Sequence, residues 1–197
     1  MTILGLDTTS ELGGVAIRSD GKVVAARTVH APDGFAHVLF PIIEQALRDA
    51  GVALQDIDCF AAASGPGSFT GVRVGLSAVK GLAAALGKPA VGVSNLKALA
   101  SLGTRPLRIV SIDARRNQHY VAVYDADLQV VVPETVVNLA DWMKTLPTED
   151  YELVTLTRDL SAAVAAVAER EPWGDPALLD ANYVRRADAE LFWRDAV

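Results

Sequence analysis

Cysteine is almost absent: Cys59 stands alone among 197 residues. A single thiol excludes disulfides within the chain and thiolate metal clusters, and it fits a cytoplasmic protein. Histidine is nearly as scarce, at His30, His37 and His119. His30 and His37 straddle a Pro-Asp-Gly turn and share no helix face, and His119 falls in a predicted hairpin; such scattered histidines read as ordinary polar residues, with no metal site. No Ser-His-Asp order or Cys-His pair stands out, and Cys59 lies in an apolar run that reads as core. No apolar run approaches the length of a membrane span. The opening Met1-Thr2-Ile3-Leu4-Gly5-Leu6-Asp7 lacks the basic head and small-residue cleavage site of a signal peptide and reads as a first strand. Basic residues are outnumbered, 18 against 24 acidic, for a net charge of −6. The excess is confined to the second half, since residues 1–100 balance at eight and eight. An acidic chain is poorly placed to hold nucleic acid by counterion release, so RNA would be reached only through a partner.

What is present is a duplicated pattern. "ILGLDTTSELGGVAIRSDGKVV" from Ile3 and "IVSIDARRNQHYVAVYDADLQV" from Ile109 align at a constant offset of 106, which sets Asp7 over Asp113. Each unit reads as an apolar strand ending in Asp, a polar turn, a second strand, a turn and a third strand. Asp20-Gly21 is a strong hairpin signal for the second turn of the first unit. Alternating apolar residues alone make any two hairpins look alike. The matched aspartates, and the helices and strands that follow each unit, favour duplication. After the first unit come a helix starting near His37, a strand over Ile57–Ala63, a helix over Gly71–Leu86, a strand near Ala90–Val93 and a helix near Asn95–Leu102. After the second come a helix near Asn138–Leu146, a strand near Tyr151–Leu156 and a helix near Arg158–Arg170. The expected fold is α/β, with two duplicated lobes over residues 1–105 and 106–197, the second reduced. This plan resembles actin, sugar kinases and Hsp70-type ATPases, the ribonuclease H-like (ASKHA) architecture. In those proteins two such turns grip the phosphates of ATP across a cleft. Asp7, Thr8, Thr9 and Ser10 are the matching candidates for a phosphate contact. The second copy carries Ala114, Arg115 and Arg116 where the first has Thr8, Thr9 and Ser10, so the cleft is lopsided. Asp7 and Asp113 either face each other as acid and base or bond to their own turns, the commoner arrangement.

The stretch "SGPGSFTGVRVG", residues 64–75, is not a nucleotide loop. A Walker loop needs lysine and Ser/Thr directly after its last glycine, and Gly71 is followed by Val72 and Arg73. The spacing of Gly65, Gly67 and Gly71 does not fit the dinucleotide fingerprint either. Thr70 is a candidate cap for the helix that follows. Along that helix Gly71, Gly75 and Ala78 fall on one side. Glycine costs up to about 1 kcal/mol in a helix interior, so these positions imply a close neighbour, either within the chain or from a second protein. In "HVLFPIIEQAL", Val38, Leu39, Phe40, Ile42, Ile43, Ala46 and Leu47 exceed the single stripe of a surface helix. Of these, Val38, Leu39, Phe40, Ile42, Ile43 and Leu47, together with Gly71, Val72, Gly75 and Ala78, form the expected partner surface, a helical protein interface.

"ILGLDTTS", "SGPGSFTGVRVGLSAVKGLA", "DARRNQHYVAVYD" and the closing "YVRRADAE" together resemble the TsaB (YeaZ) family of tRNA threonylcarbamoyladenosine biosynthesis. The resemblance touches the whole chain in order and is weakest between Val132 and Asn182, where a glycine-rich turn expected after Leu156 is missing. It implies an actin-like fold without catalytic machinery. It also implies pairing, through the first two helices, with the larger paralogue TsaD, which modifies the adenosine beside the tRNA anticodon, and joining by the ATPase TsaE. On that reading tRNA is met only through the complex, the chain carries no cofactor of its own, and ATP or ADP belongs at the complex interface. A homodimer is the alternative assembly when the chain is alone. Two enzyme readings compete. A small independent ATPase or kinase would use Asp7, Thr8 and Ser10, and the Arg-bearing second turn stands against it. A peptidase lacks its metal or nucleophile constellation.

Overall fold

The computed structural model describes residues 1–146 and 150–184. Strands β1 (Thr2–Asp7), β2 (Leu12–Ser19) and β3 (Lys22–His30) form an antiparallel meander, and β4 (Cys59–Ala63) and β5 (Ala90–Val93) extend it in parallel beyond β1. The resulting order is β3-β2-β1-β4-β5. The β2–β3 turn is built on Asp20 and Gly21, both with positive φ (48° and 78°), the geometry that matches strand twist in a two-residue hairpin.

The second half repeats the plan. Strands β6 (Arg108–Asp113), β7 (His119–Tyr124), β8 (Val130–Val137) and β9 (Glu152–Thr155) are ordered β8-β7-β6-β9, with β9 parallel to β6 as β4 is to β1. Among the described residues the fifth strand has no counterpart in the second sheet. The duplication is not rigid, however. Asp7 pairs with Gly14 whereas Asp113 pairs with His119, so the second hairpin closes one residue tighter than the constant offset implies. The α/β, actin-like fold expected from the sequence is the fold observed.

Both faces of the first sheet are covered, and its central strands therefore read as apolar on both sides. Leu4, Leu6, Val15, Ile17, Phe60 and Ala62 meet α1 (Leu39–Ala50) and α2 (Phe69–Leu86). Ile3, Cys59, Ala61 and Ala63 join a second core with α3 (Asn95–Ala100), α5 (Ser161–Ala168) and the second sheet. Helix α5 comes from the second half yet lies on β1 and β2; a Cβ on Gly5 would fall 2.5 Å from the Ser161 carbonyl oxygen. The short α4 (Leu139–Met143) completes the set.

Helix ends follow side-chain chemistry. Helix α1 ends at Gly51 in the left-handed region and accommodates Pro41 in its first turn. Helix α2 starts two residues earlier than expected, because Ser68 rather than Thr70 is its cap, accepting the Gly71 N–H at 3.2 Å. With 18 residues and mean hydropathy 1.3, α2 does reach the length and composition of a membrane span, contrary to the sequence reading. Its buried Val72, Leu76, Val79 and Ala83 pack in the core, which accounts for that apolarity.

Candidate functional site

Two turns of the first half lock together. Asp7 is 1% exposed at the end of β1. Its Oδ1 accepts the Thr9 N–H at 3.0 Å and the Thr9 hydroxyl at 2.7 Å, and its Oδ2 accepts the Leu160 N–H at 2.8 Å, at the start of α5. Burial pushes the Asp7 carboxyl above its usual range, against the opposing pull of these donors. Thr9 Oγ1 in turn accepts from Asn95 Nδ2 at 2.5 Å, while Asn95 Oδ1 accepts the Gly65 N–H at 2.9 Å. The Thr8 hydroxyl donates to the Gly71 carbonyl at 2.6 Å, and the Ser68 N–H donates to the Thr9 carbonyl at 2.7 Å. Ser10 donates to the Leu12 carbonyl at 2.7 Å.

The side-chain hydroxyls of Thr8, Thr9 and Ser10 each donate to an acceptor within the chain. A cleft of about 980 Å³ does open between the halves, and Thr8, Thr9, Ser10, Asp113, Arg115 and His119 line it. Asp113 is exposed there and accepts the Arg115 N–H at 2.8 Å, so each strand-end aspartate bonds to its own turn. Arg115, Arg116 and Asn117 follow with φ of 65°, 53° and 60°, an irregular turn quite unlike the first.

The histidines do not converge. His30 lies 3.5 Å from Glu11, and His119 Nδ1 lies 2.9 Å from Ser111 Oγ. Among the described residues no group of three metal-ligating side chains comes together. Cys59 is buried, and burial pushes its thiol up to about 12.

The residues expected at the partner surface divide sharply. Leu39, Ile42, Ile43, Leu47, Val72 and Ala78 are buried in the chain's own core. Gly71 and Gly75 have an internal neighbour: a Cβ would meet the Thr8 carbonyl oxygen at 2.0 Å and the Thr8 Oγ1 at 2.6 Å. These glycines bring α2 against the first turn, the within-chain neighbour that their spacing allowed. Val38 is half-buried, and Phe40 is 53% exposed. Phe40 borders an apolar groove of about 540 Å³ between α1 and α2, shared with Phe69, Arg73, Val74 and Ser77. Phe69 is 54% exposed, and the Arg73 guanidinium carbon lies 3.7 Å from its ring centroid. The sequence reading missed Phe69 and Arg73, although their i, i+4 spacing in "FTGVR" signals a shared helix face. Tyr183 opens the segment "YVRRADAE", whose sequence does not signal that its ring lies beside Phe69. Of the closing "YVRRADAE" only Tyr183 and Val184 are described; the remainder lies outside the described residues.

Comparison with known proteins bears on this arrangement. Residues 29–167 match the family model described as TsaD, tRNA N6-adenosine threonylcarbamoyltransferase. A protein of Bacillus subtilis (strain 168) named tRNA threonylcarbamoyladenosine biosynthesis protein TsaB is 36% identical over 166 residues, spanning 82% of this chain and 72% of its own length. The Escherichia coli (strain K12) protein of the same name is 37% identical over 131 residues, 64% of this chain and 56% of that protein. The solved structure of YeaZ from Pseudomonas aeruginosa superposes with a TM-score of 0.78 at 26% identity, covering 92% of this chain and 99% of that one.

Proposed function

We propose, proceeding from the fact that this chain belongs to the TsaB family of tRNA threonylcarbamoyladenosine biosynthesis proteins, that it is a non-catalytic subunit of the apparatus forming N6-threonylcarbamoyladenosine in tRNA. It works in the cytoplasm by pairing with a larger paralogue of the threonylcarbamoyltransferase kind, TsaD, and the assembly is joined by the ATPase TsaE. Transfer chemistry belongs to the larger paralogue, tRNA is met through the complex, and ATP or ADP binds at the complex interface rather than on this chain alone. The observation that carries the reading is the first turn. Asp7, Thr8 and Thr9, the residues that would handle phosphate in an actin-like ATPase, are spent on α2, α3 and α5. The turn acts as a structural rivet, and the exposed aromatic surface lies at the α1–α2 groove.

Half-exposed aromatics around an apolar trough are the composition of an interface centre. The groove is therefore the seat of the paralogue, and of a second copy when the chain is alone. Size-exclusion chromatography of the chain with the larger paralogue tests this. Phe40→Glu puts a charge on the rim of the groove, at a side chain the core does not need; it should melt like wild type and elute alone. Co-elution of the folded variant at low micromolar concentration removes the groove from the interface. Saturable ATP turnover by the isolated chain, lost in Asp7→Ala, would favour the independent ATPase reading instead.

A further inference from the structure

The groove carries one charge. Of the residues lining it only Arg73 is ionic, on a chain whose net charge is −6. Four other arginines have carboxylate partners, Arg18 with Glu169, Arg27 with Asp49, Arg48 with Glu44 and Arg105 with Asp150, while Arg108 donates to backbone carbonyls. Arg73 is held differently. Its Nε–H donates to the Tyr183 hydroxyl at 3.3 Å and its guanidinium lies over the Phe69 ring; among the described residues no carboxylate reaches it.

Tyr183 is itself 51% exposed, yet it is anchored from behind. The Asn182 N–H donates to the Ser64 carbonyl at 2.7 Å, and Asn182 Nδ2 donates to Glu134 Oε2 at 2.6 Å. The Tyr183 ring centroid lies 6.1 Å from that of Phe69, with the planes tilted by 33°. Phe69 and Tyr183 thus fix an exposed arginine in one orientation, and no acceptor among the described residues takes its two terminal nitrogens. Fixing a long cation in advance removes part of the entropy cost of using it in a complex.

We propose that the protein occupying this groove presents an apolar helix bearing an Asp or Glu that pairs with Arg73, and that Tyr183 is the positioning residue that presents the guanidinium to it. This rests on the reading that the groove is the docking site. Docking a purely apolar helix would bury the guanidinium without an ionic partner, a heavy desolvation cost. A carboxylate meets two terminal N–H groups in the fork geometry that arginine prefers and turns that cost into specificity.

Binding of the full chain to the purified larger paralogue, measured by titration calorimetry at low and high salt, tests the proposal. Arg73→Gln should weaken binding roughly tenfold or more at low salt and flatten the salt dependence. Tyr183→Phe keeps the ring but removes the oxygen that accepts from Nε, and it should lose a smaller factor in the same direction. Arg73→Lys, which keeps the charge, should retain the salt dependence. If Arg73→Gln binds with wild-type affinity and salt dependence while Phe40→Glu does not bind, the carboxylate pairing is wrong and the docking site stands. If Phe40→Glu also binds normally, the docking site itself is wrong. If Arg73→Gln is weakened and Tyr183→Phe is not, the positioning role of Tyr183 is overturned. If Arg73→Gln dissolves only a dimer of this chain and leaves the heterocomplex intact, the occupant is a second copy and the proposal fails.

Discussion

Replacing Gly71 by alanine adds one methyl group where the approach is closest of any glycine in the chain. The new Cβ would lie 2.0 Å from the Thr8 carbonyl oxygen and 3.1 Å from its carbon, and both are backbone atoms that no rotamer change can move. Relief requires α2 and the first turn to part. Parting them strains the Thr8 hydroxyl bond to the Gly71 carbonyl and the Ser68 N–H bond to the Thr9 carbonyl. Overpacking costs about 1–3 kcal/mol, and each weakened hydrogen bond adds up to about 1 kcal/mol. A loss of about 2–4 kcal/mol lowers Tm by roughly 4–16 °C in a domain of this size. Gly81 on the same helix is the control, since a Cβ there meets nothing within 4 Å. Gly81→Ala should stabilise by about 0.5–1 kcal/mol through helix propensity alone. Urea unfolding of both variants, with the slope m held constant, gives the comparison. A Gly71→Ala protein as stable as wild type that loses only its affinity for the paralogue would refute the internal packing argument.

Further outcomes follow from the same contacts. Cys59, buried with its thiol pushed up to about 12, should resist maleimide in the folded chain at pH 8 and react fully in denaturant; rapid labelling of native protein would contradict its burial. Asp7→Asn turns an amide donor toward one of three N–H or O–H donors and should cost about 1–3 kcal/mol at neutral pH, read by urea midpoints. Because burial raises the folded-state pKa of Asp7, the folded chain binds that proton more tightly than the unfolded chain. Relative to Asp7→Asn, wild type should therefore gain stability as pH falls through the range just above ordinary carboxylates, and be flat above it; a gain on raising the pH instead would reverse the assignment. The isolated chain, at −6, should bind tRNA weakly at physiological salt in a filter assay, and tight, salt-sensitive binding would contradict that.

Local pattern carried the sheets. The echo between Ile3 and Ile109, the Asp20-Gly21 turn and the apolar run at Ala90–Val93 each specify nearest-neighbour geometry, which period and turn chemistry encode. The structure places strands at the first and the last, and the β2–β3 turn at the second. Contacts between distant segments were not legible in the same way. Nothing near Asp7 announces that its second oxygen accepts from Leu160, 153 positions later and just before α5, or that α5 lies on Gly5. The broad apolar stripe on α1 was visible, but period alone cannot tell a helix covered by its own sheet from one covered by a partner. Leu39, Ile42 and Ile43 proved to face the sheet, leaving Phe40 outside. The glycines gave a true signal of close approach without naming the neighbour, which is Thr8.

Threonylcarbamoyl transfer to tRNA by the purified larger paralogue, assayed with and without this chain, is the most direct test of a supporting rather than catalytic role. The account predicts that this chain alone modifies no tRNA, that adding it to the paralogue and its ATPase partner restores modification, and that folded Phe40→Glu fails to do so. Modification by this chain in the absence of the paralogue, or full restoration by Phe40→Glu, would contradict it.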